Sequence, residues 1–457
     1  MSEVPALDIA ASGSEQLPLQ ATNQKQLLRE PVFRALFVTQ FTGAFNDNFY
    51  KSALLMLFTY GGIHHWGIDI NIINNLISAT LIIPFLLFAT LMGQVADKYE
   101  RSAIIRRIKV AEVLIMCAGG VALWLGSPLA LLLVLLCTGI QSACFSPLKY
   151  AIVPQLVKPE ALVGANALMH AGTSIAIFLG LIGGSLAAQV AGGKWIIGLG
   201  ALSLALWGWY SSCKIPTVSI ANKALSLQWN PWTQTRRTLQ YAGREKMVFW
   251  LIIGLSWYWF LGSIYLTQIP NLARSVLMAD PMLVPILLLL FLLGLSAGSL
   301  ACERFSKGQI NPRLVPVGAL GVTLMGIELV LACKAVMATA ATGDGSIQPL
   351  AELLARPDIW RVVIDVALLG VCGGVYVVPL AALLQERSDK RVRAQIMGAN
   401  NVYNALFMVA SAVMGAVLLG NLGWSIPDMF IVVVLLHLLI CGVIFWRVAE
   451  FRKQPGL

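Results

Sequence analysis

The chain carries one phrase twice. Ser146-Pro147-Leu148-Lys149-Tyr150 is followed by Gly164-Ala165-Asn166, and Val378-Pro379-Leu380-Ala381-Ala382 by Gly398-Ala399-Asn400. In each copy the first part closes an apolar segment, a short basic loop follows, and Gly-Ala-Asn opens the next apolar segment. Repetition at about half the chain length is what two related, parallel helical bundles leave in a transporter sequence.

The surrounding composition agrees. The 457 residues are 58% hydrophobic and 12% charged, with a mean hydropathy of +0.77. Soluble chains carry about 25% charge, so this is an integral membrane protein. Twelve apolar segments can be read, at about 32–60, 71–96, 104–126, 128–150, 163–190, 194–213, 247–275, 281–303, 312–337, 359–384, 394–420 and 424–447,. Residues 1–30 read as a disordered cytoplasmic tail without a cleavable signal peptide, 31–213 and 247–448 as two six-helix bundles, 214–246 as a cytoplasmic linker, and 449–457 as a second tail.

Loop charge orients the bundles. Of the 32 Lys and Arg, Lys194, Arg274, Lys334, Arg356 and Arg361 fall outside, Lys51 is set apart within a span, and about 26 lie on inside segments,. Both termini are therefore expected in the cytoplasm. The net charge of +10 is distributed in short blocks between apolar runs, which suits topology signals and anionic lipid headgroups rather than nucleic acid,. The eight cysteines form no C-x-x-C pair and lie in or near apolar runs, so no disulfide, metal or redox cofactor is expected,.

Asp47, within Phe45-Asn46-Asp47-Asn48-Phe49, is the sharpest candidate for function, because a carboxylate at membrane depth faces a partner or a wet cavity,. Lys51 follows one helical turn later, so the two can pair on one face. One reading is a structural clasp. The other is a polar gate or substrate contact, to which Asn48 adds. Lys149 can be a snorkelling interfacial lysine or a cation that meets a lipid phosphate. Gln385, Glu386 and Arg387 hold the comparable place in the second half. Glu112, Glu328 and Asp365 fall in or near spans and could couple protons, whereas His170 and His437 read as hydrogen-bonded structural histidines.

Gly93-Gln94-Val95-Ala96-Asp97-Lys98-Tyr99-Glu100-Arg101 follows the second span. Gly93 would allow close helix approach, Asp97 could cap the next helix and pair with a basic residue across the bundle, and Arg101 supplies a nearby cation. The run resembles the inner latch of the major facilitator superfamily. Its second-half counterpart, Gly298 to Cys302-Glu303-Arg304, has the acid displaced by one residue. His64 and Asp69 satisfy the H-x-x-x-x-D pattern of glycerolipid acyltransferases, but their loop of about ten residues leaves no room for such a domain. No phosphate-binding loop of the Gly-x-x-x-x-Gly-Lys-[Ser/Thr] kind occurs,.

With Gln40-Phe41, Phe45-Asn46-Asp47-Asn48, Ser146-Pro147-Leu148-Lys149-Tyr150 and Val377-Val378-Pro379-Leu380 through Gln385-Glu386-Arg387 in hand, the chain resembles the bacterial lysophospholipid transporter family of that superfamily. It is also similar to the transporter portion of fused proteins that carry acyltransferase and acyl-acyl carrier protein synthetase domains. The resemblance implies the major facilitator fold, an all-α integral membrane protein with twelve transmembrane helices in two six-helix bundles. It further implies a non-enzymatic, flippase-like transfer of lysophospholipids across the bacterial inner membrane, with a separate acyltransferase/synthetase as partner. The alternative is a proton-coupled permease or efflux carrier for a small solute or drug. Two differences stand out: His170 replaces a Glu of some members, and Gly262-Ser263-Ile264-Tyr265 lacks their seventh-span arginine.

Overall fold

The computed structural model describes residues 24–59, 70–280, 282–306, 309–340, 350–448 and 451. Twelve long helices run through them. The first six are α1 (Pro31–Thr59), α2 (Ile70–Lys98), α3 (Arg101–Leu125), α4 (Pro128–Leu156), α5 (Leu162–Gln189) and α6 (Gly193–Ser212). The second six are α7 (Lys246–Asn271), α8 (Leu283–Ser306), α9 (Leu314–Ala340), α10 (Pro357–Arg387), α11 (Arg393–Gly415) and α12 (Ile426–Arg447). Each coincides with an expected span, its ends moved by a few residues. Ten of the described helices are long and apolar enough to cross a bilayer by length and hydropathy. The other two are α1, diluted by Arg34, Asp47 and Lys51, and α6, diluted by glycine, serine and tryptophan. Both pack inside the first bundle, α1 against α5 and α6 against α3.

Local chemistry sets the ends. Ser127 caps α4 ahead of Pro128, Ser425 caps α12 ahead of Pro427, and Glu100 accepts the backbone N–H groups of Ser102 and Ala103 at 2.8 and 2.7 Å to start α3,. Gly126 (φ 63°) ends α3 and Gly192 (φ 77°) precedes α6, both in the left-handed region that favours glycine,. These tight turns make consecutive helices antiparallel neighbours.

The two bundles meet along two seams, α2 against α11 and α5 against α8. Packing within a bundle depends on small residues, because lipid gives apolar helices no hydrophobic reason to associate. The α8–α10 contact is among the closest. A Cβ on Gly298 would sit 2.0 Å from the Val371 carbonyl oxygen, and one on Gly370 2.2 Å from that of Phe291.

Between the bundles the linker passes from Cys213 into an amphipathic helix, Pro231–Arg244, which buries Gln234, Thr238 and Ala242 against α2, α7 and α11. One expectation is corrected here. Residues Gln24–Arg29, expected within a disordered tail, form a short helix. Leu27 is fully buried, and the Gln24 N–H and amide donate to Glu303 and to the Leu300 carbonyl of α8 at 2.9 and 3.0 Å. Residues 1–23, His64, Asp69, the turn at 342–345 and most of 449–457 lie outside the described residues.

Replacing Gly298 by Val would force α8 and α10 apart and lower the stability of the detergent-solubilised protein by about 1–3 kcal/mol. Thermal unfolding beside the wild type measures it, and an unchanged midpoint would contradict the tight seam.

Candidate functional site

A cavity of about 310 Å³ lies between the bundles. Helical spacing brings its polar residues onto common faces: 47, 48 and 51 on α1; 142, 146 and 149 on α4; 400, 401 and 404 on α11,. The first bundle contributes every charged group of the lining, namely Asp47, Lys51 and Lys149, with Ser142 and His170 between them. The second contributes neutral groups, among them Trp259, Ala381, Gln385 and the three asparagines. Leu81, Ile82 and Phe85 of α2 add an apolar strip.

Asp47 is not clasped by Lys51. One carboxylate oxygen accepts the Ser142 hydroxyl, and the other, Oδ1, is buried without a partner among the described residues. Lys149 rests its ammonium 4.9 Å from the centre of the Tyr150 ring. Among the described residues no carboxylate lies within ion-pair distance of Lys51 or Lys149. Ala381, the counterpart of Lys149 in the repeated phrase, lines the same cavity from the other bundle.

Of the second-half trio only Gln385 reaches the cavity. It exchanges two hydrogen bonds with Asn166 across the seam, at 2.8 and 3.0 Å. Glu386 and Arg387, expected beside it at the headgroup, do not line this cavity. They are about half exposed and 4.0 Å from each other, because one and two residues of helix turn them away from the Gln385 face,.

At the linker end of the cavity, Gly93 lets α2 touch α11: a Cβ there would be 2.6 Å from the Ala394 carbonyl. Asp97 is fully buried and accepts the backbone N–H groups of Ala394 and Gln395 at 3.0 Å each, capping α11 of the opposite bundle. The helix that follows it, α3, is capped instead by Glu100. Arg101 pairs with Asp97 at 2.8 Å from within the same bundle and donates to the Ala151 carbonyl and Gln155 of α4 at 3.0 and 2.7 Å. The cross-bundle partner of Asp97 is therefore a helix N-terminus, which carries partial positive charge without a basic side chain.

Residues 36–355 match the Major Facilitator Superfamily. The chain belongs to that superfamily. It is 27% identical over 372 residues to the lysophospholipid transporter LplT of Escherichia coli strain SE11 and, equally, to that of Shigella sonnei strain Ss046, covering 79% of this chain and 82% of each relative. Solved structures with the same fold include the human organic anion transporter MFSD10 (TM-score 0.64, 18% identity, 90% of this chain and 99% of that one). Another is the E. coli fucose:proton symporter FucP (TM-score 0.66, 13% identity, 92% and 98%). This facilitator is thus a transporter, not an enzyme, and a multi-pass membrane protein.

Behind the cavity of this facilitator lies a buried network that the sequence reading missed. Lys109 of α3, fully buried, pairs with Glu112 at 2.6 Å. Glu112 also accepts from Gln141 at 3.0 Å and from Asn46 at 3.3 Å. Lys51 is therefore not the sole cation within a span. The signal available was the i, i+3 pairing of Lys109 and Glu112 inside an apolar run. Space for the ammonium comes from Gly43, where a Cβ would stand 2.6 Å from Lys109 Nζ.

The other carboxylates lie apart from the cavity lining. Glu328 pairs with Arg361 at an exposed position, and Asp365 is buried on α10. His437 is structural, as expected: Nδ1 accepts from Trp257 at 2.8 Å and Nε2 lies 2.9 Å from the Ala319 carbonyl. His170 is not. It lines the cavity, stacks near Tyr150, and its Nε2 is buried without a partner among the described residues.

Lys109→Met would leave Glu112 buried and uncompensated, lowering stability by about 3–5 kcal/mol, and adding Glu112→Gln should restore most of that loss. Detergent unfolding of the two single variants and the double variant tests the pair. Additive losses would exclude the coupling.

Proposed function

We propose that this transporter moves lysophospholipids across the cytoplasmic membrane of a bacterium, as a flippase-like carrier that delivers them for reacylation by a separate acyltransferase/acyl-acyl carrier protein synthetase. The observation that carries the reading is the division of charge in the cavity. One wall holds a carboxylate oxygen without a partner and two ammonium groups without carboxylates among the described residues, and the remaining lining is neutral or apolar. That pattern is complementary to an ammonium and a phosphate joined to a single acyl chain. The likeness to LplT along 79% of the chain supports it.

In this reading the linker face is cytoplasmic, because Lys214, Lys223, Arg236, Arg237, Arg244 and Lys246 collect there,. Asp47 and Lys51 meet the ammonium side and the glycerol phosphate region, while Lys149 meets the phosphate. The acyl tail needs no polar lining and follows the apolar strip of α2 toward lipid. Asp97, Gly93 and Arg101 form the inner latch, which parts when the bundles rock to open the cavity inward.

Uptake of labelled lysophosphatidylethanolamine into proteoliposomes is the direct test, with diacyl phosphatidylethanolamine as comparison. Asp47→Ala and Lys149→Ala should each lower the uptake rate by about tenfold or more, since each removes a charge-assisted contact of about 1.5–3 kcal/mol. Full activity in a well-inserted Asp47→Ala protein would remove Asp47 from the route. Protonophore-sensitive transport of a small solute, with no lysolipid uptake, would establish the alternative carrier.

A further inference from the structure

The neutral wall of the cavity holds an arrangement that the charged wall does not explain. On α11, Asn401 is engaged across the seam, its Nδ2 donating to Ser146 Oγ at 2.9 Å. Asn404 is held from four sides. Trp259 Nε1 can only donate and the Asn400 carbonyl can only accept, so the Asn404 amide is assigned with Oδ1 toward Trp259 Nε1 and Asn400 Nδ2, at 3.2 and 3.1 Å, and Nδ2 toward Ser256 Oγ and the Asn400 carbonyl, at 2.9 and 3.0 Å,. Because Nδ2 of Asn400 is committed to Asn404, the Asn400 amide cannot turn, and its Oδ1 is fixed as an acceptor. That oxygen is buried without a partner among the described residues, on a side chain only 8% exposed that lines the cavity.

A fixed, buried, unpaired acceptor is a binding group for a hydrogen-bond donor on the cargo. Its charge identifies which donor. An ammonium has the Asp47 carboxylate on the opposite wall, where attraction is stronger. A neutral amide oxygen suits a hydroxyl. A 1-acyl lysophospholipid carries a free hydroxyl on the middle glycerol carbon, where a diacyl lipid carries an ester with no proton to give.

Building on the proposed transport of lysophospholipids, we infer that Asn400, positioned by Asn404, Trp259 and Ser256, reads this glycerol hydroxyl and distinguishes the lysolipid from its diacyl counterpart. A lipid without the hydroxyl leaves Oδ1 desolvated and unpaired, so discrimination follows from the penalty on the wrong cargo as well as from the bond to the right one. Asn400 is a binding residue in this scheme, and Asn404 a positioning residue.

The test compares two probes in proteoliposomes holding the full chain: 1-acyl lysophosphatidylethanolamine and its 2-deoxy analogue, with the same chain and head on a propanediol backbone. The analogue lacks only the hydroxyl and adds no bulk. Wild type should carry the lysolipid faster by about tenfold or more. Asn400→Ala should abolish the preference, lowering the lysolipid rate and relieving the penalty on the analogue, so that the two rates converge. Equal rates in the wild type would overturn the inference, whether or not the variant inserts. A variant that keeps the full preference would overturn it as well. A wild type that carries neither probe refutes the transport reading itself, and the assignment of Asn400 falls with it.

Discussion

The Asp97 carboxylate on the N-terminus of α11 is the contact on which the arrangement of the two bundles turns. It is fully buried, and it accepts two backbone N–H groups from one bundle and the Arg101 guanidinium from the other. A carboxylate in that position would be costly without such partners. Gly93, one helical turn before it, removes the side chain that would otherwise keep α2 from the α11 backbone. The same seam is completed from the other side by Gly398, where a Cβ would stand 2.7 Å from the Ala89 carbonyl. Once α2 and α11 touch there, the end of the central cavity is set and its lining faces are fixed in register.

The repeated phrase takes its meaning from these seams. Gly164-Ala165-Asn166 opens α5, and a Cβ on Gly164 would be 2.8 Å from Glu303 of α8; Gly398-Ala399-Asn400 opens α11 against α2. The two copies therefore mark the helices that join the bundles. The proline-centred halves of the phrase, on α4 and α10, face the cavity with Lys149 and Ala381. One scaffold was used twice, and the charge was kept on one side only. Such an asymmetric pair of walls suits an asymmetric cargo better than two equivalent sites would.

The helices, their number and their pairing into halves were legible because membrane spans leave long apolar runs, and because the polar breaks between them are short. Asp47 and Lys149 were legible as charges at depth. What escaped the sequence was partner choice. Lys51 stands one turn from Asp47, yet Ser142, 95 residues away, is the group bonded to it. Lys109 lay in a segment flanked by basic residues and read as part of a topology signal, whereas folding buries it on Glu112. Asp97 was expected to meet a basic side chain across the bundle and the start of α3; its basic partner, Arg101, comes from its own bundle, and across the seam it meets the backbone of α11. Asn400 and Asn404 read as part of a repeat and of a helix. Their amide orientation, which leaves one oxygen without a partner among the described residues, depends on Trp259 and Ser256 of another helix.

The linker adds a constraint on how the bundles can part. Its first stretch is bonded to the first bundle: Val218 N–H to Glu100 at 3.1 Å, Asn222 N–H to the Asp97 carbonyl at 2.8 Å, and Gln228 to Gln94 through two bonds. Thr235 continues the attachment with a 2.7 Å bond to Thr90 of α2. The second bundle is reached through Gln234, whose amide donates to Gln395 at 3.1 Å. Gln395 is also one of the two residues whose backbone N–H groups Asp97 holds. Parting α11 from α2 therefore breaks the Asp97 contacts and the Gln234 bond at one point, while the bonds between linker and first bundle can persist. Each charge-assisted hydrogen bond lost there is worth about 1.5–3 kcal/mol before water replaces it, and the other seam adds the bonds of Gln385 with Asn166 and of Gln24 with Glu303. The asparagines that line the cavity stand one to two turns further along α11. One of them, Asn401, is bonded to Ser146 of the first bundle at 2.9 Å, so the contacts that hold α11 to the first bundle run from its N-terminus into the cavity wall.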